Sequence, residues 1–345
     1  MALRLCQILI RLLLALAVVV LLGRIDPGEA RGEGNRSGPT RSVDAPATSP
    51  TLAAFDAEEF GRQFPELAAG AFTPAEPGHA ATEVMFDAED GRLDHYSPLT
   101  AALWLGGVTS EEVRRTCEAR FDVFLGELRR QPVSGDDPAA LAWLIHEHLH
   151  RRLLTGEYEV AASNLEGALT GGAYNCVSAA LLYYEASRQL GLHCEIVAWP
   201  DHVACRVATS HGSLAVEPTC VTWFERARRG TQAPTAPRTT PPRCLTEVQF
   251  LALVDYNRGV ALLREGRHQA AMQANLRALR LDPRNVSARN NLLAAINNEA
   301  LALSRDRQFG AALELLARGR RLAPDYAPFV INTRHVEQQS QATSG

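Results

Sequence analysis

The sequence predicts an α+β domain followed by an all-α domain of helical repeats. Three observations lead to this prediction. Residues of about 110–190 carry apolar side chains at helical spacing, residues 193–218 contain three short apolar runs, and residues 257–324 repeat with a displacement of 41. Helices followed by strands in separate blocks are typical of α+β domains, and a fixed repeat period is typical of helical repeat arrays.

The predicted helices are recognised by their start and stop signals. Ser110 is a candidate N-cap for a helix that begins at Glu111, and Asp137 before Pro138 is the start signal for a second helix. A third helix follows the Gly-rich segment around residue 172 and is closed by Gly191. Together they place a helical block ahead of the strands.

Three strands are predicted after Gly191. They are HCEIVAW (193–199), HVACRVAT (202–209) and SLAVEP (213–218), and short turns at residues 200–201 and 210–212 separate them. Short β-branched runs joined by such turns are typical of antiparallel hairpins. We therefore expect a small antiparallel sheet.

The C-terminal part of the chain is internally repetitive. Small and apolar residues recur after 41 positions: Asn257, Leu262, Ala271, Ala278, Leu281 and Pro283 return as Asn298, Leu303, Ala312, Gly319, Leu322 and Pro324. The segment NRGVALLREGRHQAAMQANLRALRLDPRN resembles a tetratricopeptide repeat, and this resemblance implies a groove that binds a protein partner. A longer first helix in the second repeat, at residues 286–292, would account for the long period.

The N-terminus has the layout of an export signal. Arg4 and Arg11 precede an apolar run from Leu12 to Leu22, as the charged and apolar regions of a secretory signal do. Residues 1–30 are predicted to be a cleaved signal peptide or a retained signal anchor. In both cases the protein is exported, to the periplasm or the extracellular space, and it contacts a membrane only if the segment is retained.

Length and composition indicate how the chain divides into domains and which partners are not expected. The chain has 345 residues and a formal net charge of −4 without long runs of one sign. This length suits two domains, and the charge gives no reason to expect nucleic acid as a partner. We expect no cofactor.

The predicted divisions are a disordered linker at 31–52, an α+β domain at 53–228 with its core at 135–220, a Pro-rich linker at 229–244, the repeats at 245–335 and a disordered tail at 336–345.

Cys176 is the candidate nucleophile, in the segment GGAYNCVSAALLYYEASRQLGL. The pattern places its thiol in the first turn of a helix, where the positive end of the helix dipole favours the thiolate form of a cysteine. The preceding Gly171 and Gly172 give the backbone freedom to bring amides near the sulfur. Such amides would serve as an oxyanion hole.

His202 and Glu217 are the candidate partners of the thiol. His202 begins a strand directly after the Pro200–Asp201 turn, and Glu217 ends the next strand. In an antiparallel hairpin the start of one strand lies beside the end of the next, so we expect the two side chains to meet. A carboxylate in that place orients the imidazole and stabilises its protonated form.

The motifs GGAYNC, PDHVACRV and VEPTC together resemble those of the transglutaminase-like superfamily. The resemblance covers about 85 residues and has the order Cys, His, acid, although the family commonly carries Asp where Glu217 stands here. It implies a papain-type fold and assigns Cys176, His202 and Glu217 as the catalytic triad. The segment that carries Cys176 also resembles a bacterial branch of this superfamily, which joins such a core to tetratricopeptide repeats. In many members of that branch the cysteine is replaced.

A zinc site is the alternative that the sequence offers. His146, Glu147 and His150 satisfy the HExxH pattern of metalloproteases. A third ligand is required, and Glu157 or Glu166 would be a candidate for it, although neither lies in a recognisable motif. The competing interpretation is a polar helix face with a structural role, so no metal site is predicted.

The function predicted from these features is acyl transfer or hydrolysis at amide bonds of a protein or peptide, through a thioester on Cys176. The alternative is an inactive core that only supports an interaction module, with the repeat groove binding a peptide or helix.

Overall fold

The structure, a computed structural model, describes residues 55–70, 80–132, 137–162, 164–229 and 241–344. Within these ranges it is mainly helical with one small antiparallel sheet, so the α+β class is confirmed. The predicted export signal at 1–30 and linker at 31–52 lie outside the described residues. Two compact units divide the chain, one of residues 55–295 and one that contains residues 296–344.

The elements are given in chain order. The helices are α1 (Ala57–Gln63), α2 (Pro65–Gly70), α3 (Ala80–Asp87), α4 (Pro98–Leu105), α5 (Glu111–Arg129), α6 (Pro138–Arg152), α7 (Leu165–Leu169), α8 (Cys176–Gln189), α9 (Trp223–Arg228), α10 (Glu247–Arg264), α11 (His268–Leu281), α12 (Val286–Arg305), α13 (Phe309–Leu322) and α14 (Ala327–Ser344). The strands are β1 (Cys194–Trp199), β2 (His202–Thr209), β3 (Gly212–Val216) and β4 (Arg243–Leu245). None of these described helices is both long and apolar enough to cross a bilayer.

The predicted helix starts are confirmed at α5 and α6. The Ser110 side chain accepts a hydrogen bond from the Val113 amide, and the Asp137 carboxylate accepts bonds from the amides of Ala139 and Ala140. These contacts satisfy amides that have no acceptor within the helix. Pro138 occupies the first position of α6, where its missing N–H is not needed.

The sheet has the strand order β3-β2-β1-β4, and all its pairs are antiparallel. The three predicted strands are confirmed as β1, β2 and β3. A fourth strand was not predicted: Arg243 and Cys244, the last residues of the predicted linker, pair through β4 with Ala198 and Val197 of β1. Three residues are too few to show an alternating pattern that predicts a strand. This strand forms because it pairs with β1, which is distant in sequence.

Helix α8 packs across β1 and β2, and α6 packs against both α8 and β2. The Tyr183 hydroxyl of α8 is fully buried and donates to the Ala142 carbonyl of α6 at 3.1 Å. Ala179, Ala180 and Leu182 are also buried, as the apolar pattern of this helix predicts. This packing fixes the first turn of α8 beside the start of β2, where the candidate site lies.

The first helical hairpin of the repeat segment, α10 and α11, belongs to the same compact unit as the sheet. Gly259 allows the close approach of the two helices, since a Cβ there would lie 2.3 Å from Asn275 Nδ2. The buried Asp255 carboxylate accepts two hydrogen bonds from Arg277. Helix α10 also packs on α4, so the division between the compact units does not coincide with the predicted linker at 229–244.

The helices that follow repeat those of the first hairpin. Helix α10 ends at Arg264 and α12 at Arg305, while α11 and α13 begin at His268 and Phe309, so equivalent ends are 41 residues apart. The first helix is long in both repeats, with 18 residues in α10 and 20 in α12. The interval between equivalent ends contains α11, the turns and the whole of α12, so the 20-residue first helix of the second repeat makes the period long, as predicted.

The C-terminal unit ends in a helix where disorder was predicted from residue 336. Helix α14 continues to Ser344, because Val336 is fully buried and the Ser304 hydroxyl donates to Gln339 Oε1 at 2.7 Å. Gly319 of α13 makes room for the Phe329 ring of α14, with a hypothetical Cβ 2.6 Å from the ring. The predicted tail is thus part of the packed unit.

Candidate active site

Cys176 is the first residue of α8, as predicted. Its neighbour Asn175 caps the helix: the Asn175 side chain accepts bonds from the amides of Val177 and Ser178, and the Ser178 hydroxyl accepts from the Asn175 amide. Asn175 and Ser178 are buried, whereas Cys176 is half-buried. The cap engages the amides of Val177 and Ser178, the second and third residues of the helix. The amide of Cys176, the first residue, has no acceptor within the helix.

The Gly-rich turn before Cys176 differs in detail from the prediction. Gly171 adopts a φ of +84°, which a residue with a side chain rarely adopts. The Gly172 amide, however, donates to the Gly167 carbonyl at 2.8 Å. The Gly172 amide is therefore engaged within the turn, and any amide that serves an oxyanion hole must be another one.

His202 and Glu217 meet as the hairpin predicts. Strand β2 begins with His202, and the last pair between β2 and β3 joins Cys205 to Val216, so Glu217 follows on the side of the sheet where β2 starts. His202 Nε2 lies 2.5 Å from Glu217 Oε2, and the two side chains are only 14% and 10% exposed. The longer side chain of a glutamate thus reaches the imidazole.

Both partners are held in their charged forms. Burial favours neutral His202, but hydrogen bonds to Cys176 and Glu217 outweigh it and raise the pKa of His202 to about 10. Burial likewise opposes ionisation of Glu217, yet the bonds from His202 and Thr219 lower the pKa of that carboxyl group. The Thr219 hydroxyl donates to Glu217 Oε1 at 2.6 Å. The result is an imidazolium–carboxylate pair near neutral pH.

An interaction with the Cys176 side chain is among the effects that raise the pKa of His202, so the thiol lies near the imidazole. Because Glu217 occupies Nε2 of the imidazole, Nδ1 is the nitrogen left for the sulfur. The three residues that the sequence singled out therefore form one connected chain from thiol to imidazole to carboxylate. Such a chain moves a proton between sulfur and imidazole while the carboxylate keeps the ring oriented.

Trp199 is a further residue at this site that sequence reasoning missed. It pairs with His202 in the register of β1 and β2, and the two ring centroids are 6.5 Å apart. The signal was present in the sequence, because Trp199 directly precedes the predicted Pro200–Asp201 turn and so must stand opposite His202. Its ring therefore lies beside the imidazole.

The alternative interpretation of the HExxH motif as a polar helix face is wrong, because His146 is buried and the ring nitrogens of the half-buried His150 are shielded from solvent. His146 is 2% exposed, and its Nε2–H donates to the Glu217 carbonyl at 3.3 Å. Both ring nitrogens of His150 are buried and make no hydrogen bond of good geometry, although the ring faces the Pro218 carbonyl. The motif thus packs beneath the loop that carries the acid, and amphipathic spacing alone did not reveal this.

Burial also determines the charge of the two imidazoles. It is the main cause that lowers the pKa of His146 to about 4, and the neighbouring His150 adds to the shift. Burial lowers the pKa of His150 as well. In the described ranges no three His, Cys, Asp or Glu side chains converge to hold a metal ion, Glu157 and Glu166 included.

The cysteines other than Cys176 are not bridged in the part of the chain that the structure describes. Cys117 and Cys205 are buried, Cys194 and Cys220 are half-buried, and Cys244 is exposed. Differences in their accessibility provide an internal control for thiol reactivity.

No protein-family model matches this chain, and neither the curated proteins nor the solved structures contain a match to it.

Proposed function

We propose that this protein is an exported thiol enzyme of the transglutaminase-like type, with a papain-type core that performs acyl transfer or hydrolysis at amide bonds of a protein or peptide. The observation that carries the proposal is the buried His202–Glu217 pair, with Cys176 at the start of α8 among the groups that raise the pKa of His202. Surface ion pairs are common, but a thiol at a helix N-terminus that faces a buried imidazolium–carboxylate pair is a costly arrangement with a direct chemical use.

The chemistry follows from the charges of the three groups. The Cys176 sulfur, as the thiolate, attacks the amide carbonyl carbon and forms an S–C bond, while the C=O electron pair moves to oxygen. That pair then re-forms the C=O bond as the C–N bond breaks, and His202, already protonated, gives its proton to the leaving nitrogen. The thioester is then attacked by water or an amine, which loses a proton to His202, and the sulfur leaves.

The repeat helices support a second part of the proposal, which is the binding of a protein partner. Two successive helical hairpins of similar sequence resemble tetratricopeptide repeats, although their period of 41 residues is longer than the ~34 of that motif, and the grooves of such arrays receive peptides or helices. Export is proposed from the N-terminal sequence alone, and contact with a membrane only if that segment is retained. An inactive core that merely supports this interaction module is the competing proposal.

Alkylation of the folded protein tests the enzyme proposal. With iodoacetamide near neutral pH, we expect Cys176 to be modified before all other cysteines, as followed by peptide mass spectrometry. Cys244 is the matched control: it is exposed whereas Cys176 is only half-buried, so accessibility alone would modify Cys244 first. Modification of Cys244 ahead of Cys176 would favour the inactive scaffold, because thiolate character and not exposure governs the reactivity of a catalytic cysteine.

A further inference from the structure

A short segment before α7 is held against the Gly-rich turn that leads to Cys176. Gly156 lies so close to Gly172 that a Cβ at Gly156 would be 2.1 Å from the Gly172 carbonyl oxygen. Two residues further on, Tyr158 and Tyr174 form a parallel bridge, in which the Tyr174 amide donates to the Glu157 carbonyl at 3.1 Å and the Glu159 amide donates to the Tyr174 carbonyl at 2.9 Å. The backbone of Tyr158 is therefore fixed beside Tyr174, which precedes the candidate nucleophile Cys176 by two residues.

The side chain of Tyr158 lies on the side of the turn that carries the nucleophile. Its ring packs edge-on to Tyr174 with centroids 6.0 Å apart, and an interaction with the Cys176 side chain is among the effects that raise the pKa of the Tyr158 hydroxyl. Tyr158 is 40% exposed, yet burial is the largest effect that raises the pKa of its hydroxyl, ahead of the charges of Cys176 and Glu217. The raised pKa keeps the hydroxyl protonated near neutral pH, so it is available as a donor.

Attack on an amide carbonyl requires donors for the oxygen that becomes negative. The Gly172 amide is engaged by Gly167, and the amides of Val177 and Ser178 are engaged by Asn175. The amide of Cys176, at the first helical position, has no acceptor within the helix. A second donor must come from another segment, and Tyr158 is the neutral hydroxyl that the structure brings to the sulfur.

We propose that the Tyr158 hydroxyl is a catalytic group that, with the Cys176 backbone N–H, binds the oxyanion of the tetrahedral intermediate. This inference rests on the proposed thiol chemistry and adds a residue to it. Before reaction the hydroxyl donates to the sulfur. As the S–C bond forms and the carbonyl electron pair moves to oxygen, the hydroxyl donates to that oxygen and keeps its proton throughout. No further reactant is needed.

Two reactions of the same thiol test the proposal. p-Nitrophenyl acetate acylates Cys176 through a tetrahedral oxyanion and releases p-nitrophenolate as its C–O bond breaks, whereas iodoacetamide alkylates it by displacement without any oxyanion. In Tyr158→Phe we expect the acylation rate to fall about 10²-fold, as when one oxyanion donor is removed, while the alkylation rate does not fall. The rate that remains in Cys176→Ala is subtracted in each case.

Tyr184→Phe is the matched control. The Tyr184 hydroxyl lies on the same helix as Cys176 but donates to Glu247 at 2.8 Å, so both rates should remain at the wild-type level. Equal acylation in Tyr158→Phe and wild type would overturn the inference, and so would a parallel fall of acylation and alkylation, because the tyrosine would then only hold the thiol. Wild-type acylation no faster than in Cys176→Ala would instead overturn the proposed enzyme, and the inference with it.

Discussion

The burial of His146 predicts a specific sensitivity to acid. In the native state its pKa is lowered to about 4, from about 6.5 in an unfolded chain. Between these two values the unfolded state binds the proton and the native state does not, so stability falls as the pH falls through this window. The groups that face the ring are His150 on the same helix and the Glu217–Cys220 loop, whose carbonyls only partly oppose the shift.

The size of the effect follows from these pKa values. From pH 7 to pH 5 the unfolded imidazole takes up most of one proton while native His146 takes up little, which corresponds to a loss of about 2 kcal/mol in unfolding free energy. His146→Gln removes the titrating group and keeps an amide that can donate to the Glu217 carbonyl. The wild type should therefore lose about 2 kcal/mol more stability than this variant on acidification.

Urea unfolding at the two pH values, followed by tryptophan fluorescence, measures this difference. All four tryptophans (Trp104, Trp143, Trp199 and Trp223) lie in the compact unit of residues 55–295, so the signal reports on that unit. His211→Gln is the control, because His211 is exposed in the turn between β2 and β3. Equal losses in wild type and His146→Gln would refute the reasoning and show that His146 is not held neutral.

Two further predictions concern the candidate triad. Cys176→Ala and His202→Ala should each abolish the acylation by p-nitrophenyl acetate that depends on Cys176, and the double variant should be no worse than either, since nucleophile and base act as one unit; additive losses would contradict this. Glu217→Gln should lower the pH at which His202 loses its proton, because the carboxylate helps to raise the pKa of His202 to about 10. NMR titration of histidine-labelled protein measures that pH, and an unchanged value would show that Glu217 does not stabilise the imidazolium.

Much of the fold could be predicted where the signal is local. The caps at Ser110 and Asp137 mark the starts of α5 and α6, and β2 has the predicted bounds of His202–Thr209. The meeting of His202 and Glu217 was also predictable, because a tight hairpin fixes which residues of its two strands are neighbours. These features depend on residues that lie within one helix start or one hairpin of the chain.

The features that escaped prediction depend on contacts between distant segments. Strand β4 has three residues and no pattern of its own, and it forms because β1 offers a partner. Tyr158 reaches the site through a single bridge to Tyr174 and the absence of a side chain at Gly156. The spacing of His146 and His150 suits either a zinc site or the packed face of a helix. The hydrogen bond from His146 to the Glu217 carbonyl, in a loop distant in sequence, distinguishes the two.

The pairing of β4 with β1 has a consequence for the order in which the sheet is completed. Ribosomes make β1 first, and about 45 residues of chain separate it from Arg243–Leu245. At a synthesis rate of about 5–20 residues per second, the outer edge of β1 lacks its partner for roughly 2–9 s. During that interval its unpaired N–H and C=O groups offer a template to any extended chain nearby. The nascent protein is therefore most exposed to mispairing after its candidate catalytic residues have been made and before its sheet is closed.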